Sequence, residues 1–228
     1  MRSLVKKSIA VIAISLIIAS AFYAQEKTPI IPPLSLYIPR TFNDIRGFTK
    51  DQINEHKKLY EGYVGKRNQI TEELMRINRT NVNATYSPFR ELKVEEVFAY
   101  NAAILHELYF ENISGKANPI GKNMTNLFNK SFGSYDAWLK DFKDCAMVAR
   151  GWVITGYSLD DNSVHNFVAD SHTLGIPVLT IPLIVFDVYE HAYMIDFWTE
   201  RKEYLERFLQ NLNWAAVELR TTRWLKMN

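Results

Sequence analysis

The chain has 228 residues, 47% of them hydrophobic and 13% aromatic, with a formal charge of +2. That apolar content supports one sizeable core, or two small lobes sharing one. The charge is too mild for a nucleic-acid partner, and no basic stripe interleaves with aromatics, yet it would not repel a small anion; the single cysteine, Cys145, excludes an intramolecular disulfide and reads as a packing residue.

Residues 1–24 read as an export signal. Arg2, Lys6 and Lys7 precede an apolar run from Ile9 to Ile18, and Ala19-Ser20-Ala21 supplies the small residues of a cleavage site. The rival reading is an uncleaved membrane anchor, for which the run is short, since a spanning helix needs roughly 20 apolar residues. The expectation is a mature protein that is periplasmic or extracellular, with membrane contact only if the segment is uncleaved. Sequons such as Asn83-Ala84-Thr85 and Asn112-Ile113-Ser114 matter only in a host that glycosylates exported proteins.

After an extended lead-in at Pro29, Pro32 and Pro33, residues 50–80 place Ile53, Leu59, Tyr60, Tyr63, Ile70 and Leu74 at mostly helical spacing. A loop around "NATYSP" follows, then a second helix over about 93–112, so the pair forms a helical hairpin. The character changes after "GKANPIGKN". A helix is predicted over 135–149, and "GWVITGYSL", "VHNFVAD" and "LTIPLIVFD" read as strands separated by "DDNS" and "SHTLGIP" turns. Residues 200–224 read as helix again. The pattern is α+β, with an N-terminal helical-hairpin domain over 25–117 and a C-terminal α/β domain over 118–228.

The stretch "PLIVFDVYEHAY" places Asp187, Glu190 and His191 at the mouth of an apolar strand. A buried unpaired carboxylate is costly, so these groups reach water or share a strong partner, and a metal ion is one such partner. Of five histidines, His56 lies on the first long helix and His106 on the second. Singly, each has an ordinary reading: a helix-surface residue, a core histidine, an Asp187–His191 pair at i,i+4 spacing. Together they offer one ligand per helix of the hairpin plus two from the facing lobe. Three imidazoles and one carboxylate suit a first-row transition metal.

The segments "YNAAILHELYF", "FGSYDAWLKDF", "RGWV", "IPLIVFD", "DVYEHAY" and "RKEYLERFLQNLNW" resemble, in order, those of the iron/manganese superoxide dismutases, from about Pro33 to Arg220. The resemblance implies an N-terminal α-hairpin on a C-terminal α/β lobe with a three-stranded antiparallel sheet. It also implies one iron or manganese ion per subunit and superoxide as substrate. Carried over, the metal ligands are His56, His106, Asp187 and His191. The family spaces its first ligand eight residues before a Tyr lining the substrate funnel; here His56 is seven before Tyr63, which leaves Glu55 as a rival. The family's His one turn after the first ligand is Leu59 or Tyr60 here, and the second Tyr of its "HAYY" is Met194. Tyr63 and His172 are the catalytic candidates; His172 takes the place of a family Gln that donates to solvent at the site. Tyr189 replaces the family Trp of D-x-W-E-H. Glu190, Tyr193, Trp152 and Arg201 are expected around the site or at the interface, Glu190 reaching His191 of a second subunit in a homodimer and Arg201 adding positive charge to the funnel. Two other readings remain at this level: a dismutase-like fold that binds metal with little or no turnover, and a di-iron carboxylate bundle, which would want E-x-x-H pairs on two helices.

Overall fold

The computed structural model describes residues 36–225, so the proposed signal segment lies outside the described residues. Helix α1 spans Lys50–Arg76 and α2 spans Pro88–Ile113. Each begins at a hydroxyl cap: Thr49 accepts from the Gln52 backbone N–H, and Ser87 from that of Arg90. The second helix thus starts a full turn earlier than apolar spacing predicts. Pro88 is in its first turn, where the missing N–H costs nothing.

Helices α3 (Lys122–Phe132) and α4 (Tyr135–Val148) follow. The sequence reading had no separate α3, although Met124, Leu127 and Phe128 bury one face at helical spacing. Gly133 ends it at φ +84°, a left-handed conformation that glycine adopts without a Cβ clash. Strands β1 (Trp152–Ser158), β2 (Ser163–Ala169) and β3 (Thr180–Asp187) form an antiparallel sheet in the order β2-β1-β3. The register of β1 against β3 shifts between Thr155 and Gly156, and a Cβ on Gly156 would lie 2.3 Å from the Thr180 methyl, so any larger residue there would displace Thr180.

A 3-10 turn at Glu190–Ala192 leads into α5 (Met194–Phe197), α6 (Arg201–Gln210) and α7 (Trp214–Leu225). The single helix predicted over 200–224 is therefore two. Asn213 breaks it: its backbone N–H donates to the Asn112 carbonyl at 2.7 Å, and its side chain accepts from the Ala216 N–H at 3.2 Å, capping α7. The hairpin and the α/β part share one core, in which Phe110 of α2, Trp138 of α4, Phe186 of β3 and Phe208 of α6 are fully buried. Among the described residues no helix is long and apolar enough to cross a membrane.

Candidate metal centre

His56 and Gln52 are four residues apart on α1 and therefore share its inner face; both are fully buried. Gln52 acts as a clamp. Its Nε2 donates to the His191 carbonyl at 2.7 Å, and its Oε1 accepts from the Ile195 N–H at 3.1 Å. The Thr49 N–H donates to Asp196 Oδ2 at 2.7 Å just before the same helix turn. The first turn of α1 is thus stitched to the segment carrying His191, which fixes two imidazoles relative to each other.

His106 sits on α2, fully buried, and its Nδ1–H donates to the Ala102 carbonyl at 2.7 Å. That leaves Nε2 as a bare lone pair, and it is buried without a hydrogen-bond partner. Asp187 ends β3 opposite Trp152 of β1. Its carbonyl accepts from the Tyr204 hydroxyl at 2.7 Å and its Oδ1 from the Tyr189 N–H at 3.0 Å. Its Oδ2 then lies 3.1 Å from His56 Nε2, 3.2 Å from His191 Nε2 and 3.6 Å from His106 Nε2.

The ligand atoms of His56, His106, Asp187 and His191 all fall within 4.8 Å of one another. Burial pushes the His106 pKa down to about 3 and lowers that of His56 as well. Burial disfavours the Asp187 anion, yet the hydrogen bonds with His191 and His56 outweigh it and hold the carboxyl well below its usual range. Burial likewise opposes the His191 cation, but its bond to Asp187 lifts that imidazole above its ordinary value. Neutral imidazoles beside an ionised carboxylate are the forms in which these groups bind metal. The unpartnered His106 nitrogen gives a cation a place among them, and the three-nitrogen, one-oxygen set suits a first-row transition metal. With a single carboxylate, the cluster does not offer the donors of a di-iron carboxylate site.

Glu55, the rival first ligand, is exposed on the outer face of α1 and pairs with Lys58 at 2.5 Å. Tyr63 and His172 lie together beside the cluster, ring centres 5.1 Å apart, with Tyr63 5.2 Å and His172 5.8 Å from His106. Burial raises the Tyr63 pKa. His172 is only 2% exposed, although its segment connects two strands. Trp152 is fully buried, packs edge-on to His106 at 5.0 Å and donates its indole N–H to His172 Nδ1 at 3.0 Å. Tyr189 stacks on His191 at 5.3 Å, and Tyr193 stacks on Tyr204 at 5.0 Å. Glu190 is exposed. Arg201 donates to the Ala149 carbonyl at 2.9 Å, a contact that anchors the start of α6. Sequence reasoning missed Gln52, Asn101 and Phe98, the last packing edge-on to His172 at 4.6 Å. Gln52 has a readable signal, one turn before His56 on the same face; Asn101, which donates to the His172 carbonyl at 2.7 Å, has none, because its acceptor is distant in sequence.

A buried mononuclear centre of three histidines and one aspartate, held between a helical hairpin and an α/β sheet, defines a metalloprotein of the transition-metal type. Residues 120–220 match the family described as iron/manganese superoxide dismutases, C-terminal domain. The chain is 37% identical over 189 residues to the "Superoxide dismutase [Fe]" of Aquifex pyrophilus, covering 80% of this chain and 88% of that one. It is 29% identical over 180 residues to the enzyme of the same name from Cupriavidus metallidurans, covering 77% and 89%. It is 26% identical over 190 residues to "Superoxide dismutase [Mn] 1" of Halobacterium salinarum, covering 81% and 90%. The chain belongs to the iron/manganese superoxide dismutase family.

Proposed function

We propose that this protein is a superoxide dismutase, converting two superoxide anions and two protons into dioxygen and hydrogen peroxide. The observation that carries the reading is the closed set of four ligand atoms, with the His106 Nε2 lone pair buried and unpartnered, in a chain of this family. His56, His106, Asp187 and His191 would hold the ion. When bound, iron or manganese supplies the one-electron couple, alternating between its trivalent and divalent states. The chain supplies the rest. Trp152 and Phe110 wall the imidazoles from bulk water, the latter 4.8 Å from His56 ring to ring. Tyr63, kept protonated by burial, has a hydroxyl proton to offer where an oxygen anion is reduced to peroxide. His172 beside it offers a hydrogen bond without giving up its proton. The His172→Gln variant should retain metal and change the iron-to-manganese activity ratio; an unchanged ratio would remove His172 from the reaction.

The protein works as a homodimer through the face around His191. Exposed Leu59, Met194 and Ile195 line a groove of about 490 Å³ with Glu55, Lys58, Glu190 and His191. Glu190 is free there to bond His191 of a second subunit, fixing its ring orientation. Sedimentation at micromolar concentration should give a dimer; a fully active monomer would contradict it. The chain is exported by residues 1–24, supported by Arg2, Lys6 and Lys7 before the run Ile9 to Ile18. Fractionation should find the mature chain outside the cytoplasm with a trimmed N-terminus, and a full-length cytoplasmic chain would refute export.

A further inference from the structure

His172 is buried beside the metal cluster, yet it belongs to no ligand set. Its Nδ1 lies 3.0 Å from Trp152 Nε1. An indole N–H only donates, so Nδ1 must present a lone pair, and the one hydrogen of a neutral ring then sits on Nε2. A protonated ring would carry a hydrogen on both nitrogens and oppose the indole N–H, so the Trp152 bond requires the neutral form. The donor is immobile: Trp152 is fully buried and is paired in the sheet with Ala169 on one side and Asp187 on the other. The acceptor is held as well, since Asn101 Nδ2 donates to the His172 carbonyl at 2.7 Å. Among the described residues no protein group bonds His172 Nε2.

We infer that Trp152 is a positioning residue that selects the Nε2–H tautomer of His172 and makes that ring an obligate hydrogen-bond donor to an oxygen anion beside Tyr63. The inference rests on the dismutase reading and deepens it. A neutral histidine without the indole can present either nitrogen. In the Nδ1–H form it would aim a lone pair at an incoming anion and repel it. The Trp152 bond removes that alternative before substrate arrives, which is electrostatic preorganisation by a group that never touches the substrate. It also assigns the neighbouring roles: neutral His172 donates and accepts nothing at Nε2, so proton delivery falls to Tyr63 or solvent.

The test is long-range ¹H–¹⁵N NMR on the metal-free full chain with labelled histidine and tryptophan. In the wild type, His172 should show an unprotonated Nδ1, a protonated Nε2, and a scalar coupling between Trp152 Nε1–H and His172 Nδ1. In Trp152→Phe, the Nδ1–H form should become detectable; in His172→Leu, the Trp152 indole proton should move upfield. A wild-type ring protonated at Nδ1, or tautomer populations unchanged in Trp152→Phe, would overturn the inference. If Trp152→Phe does not fold, the wild-type coupling decides alone: its presence supports the lock and its absence refutes it. None of these readouts needs turnover. A locked tautomer in a protein without dismutase activity would count against the function, and a mobile tautomer in an active enzyme against the lock.

Discussion

On the side facing the sheet, the cluster is sealed within one chain: His56, His106 and Asp187 are fully buried, and Asp187 has both its carbonyl and its Oδ1 engaged by Tyr204 and Tyr189. On the other side, the His191 side chain keeps 27% of its exposure, beside exposed Glu190, Met194 and Ile195. The difference separates two jobs. The inner side sets ligand geometry by packing and hydrogen bonds that need no second molecule. The outer side leaves one imidazole without a carboxylate on its far edge, the support that Glu190 of a second subunit would add in the proposed dimer.

The largest effects should come from the sealed side. His106→Ala and His56→Ala should each lose metal and activity, because each removes a ligand and opens a cavity; metal affinity falls by well over ~100-fold. Elemental analysis checks this, and Glu55→Ala should keep full occupancy. Retained metal in His56→Ala together with loss in Glu55→Ala would reverse the ligand assignment. Chelating the ion from the wild type should also destabilise the fold. Binding at ~1,000 times Kd contributes about 4 kcal/mol, or a fall in Tm of roughly 10 °C, measurable by calorimetry. Next comes a test of the shared core. Arg220 is 5% exposed and reaches Asn112 Oδ1 at 3.1 Å, Glu111 Oε2 at 2.5 Å and the Leu183 carbonyl. Arg220→Ala strands those acceptors and should cost about 3 kcal/mol in urea unfolding.

Effects of the open side should be smaller. Glu190→Gln should weaken the proposed dimer and lower metal retention modestly without unfolding the chain, read by sedimentation and by metal loss on dilution. Away from the cluster, burial pushes the Cys145 thiol up to about 11. A folded-state pKa above the unfolded value keeps the thiol protonated, so stability from this group is present below the unfolded pKa and is lost as pH rises toward the folded one. The measurable consequence is slow alkylation at pH 8, roughly 100-fold below a free cysteine, with the rate climbing to beyond pH 10.

The two sides also differed in how far the sequence discloses them. Asp187 and His191 sit in one ungapped motif at i,i+4, so their pairing is readable without tertiary information. His56 carries its ambiguity with Glu55 because adjacent helix positions face about 100° apart, and only packing decides which points inward. The partners of the clamps stayed hidden for a different reason: although the place of Gln52 on the His56 face is readable, it is 139 residues from His191, and Asn101 is 71 from His172, so no local pattern shows what either one bonds. The break at Asn213 was invisible because a helix-compatible run conceals a cap whose backbone bond goes to Asn112, on another helix. The missed α3 is an error of a simpler kind, since Met124, Leu127 and Phe128 carry a helical period that the short segment does show.

The central claim is a single redox-active ion held by His56, His106, Asp187 and His191. The most direct measurement is metal content and superoxide turnover on the same purified sample, before and after reconstitution with iron or with manganese. The account predicts about one iron or manganese ion per chain, with turnover that is lost on chelation and returns with the ion. Stoichiometric metal without turnover above that of the free ion would contradict it.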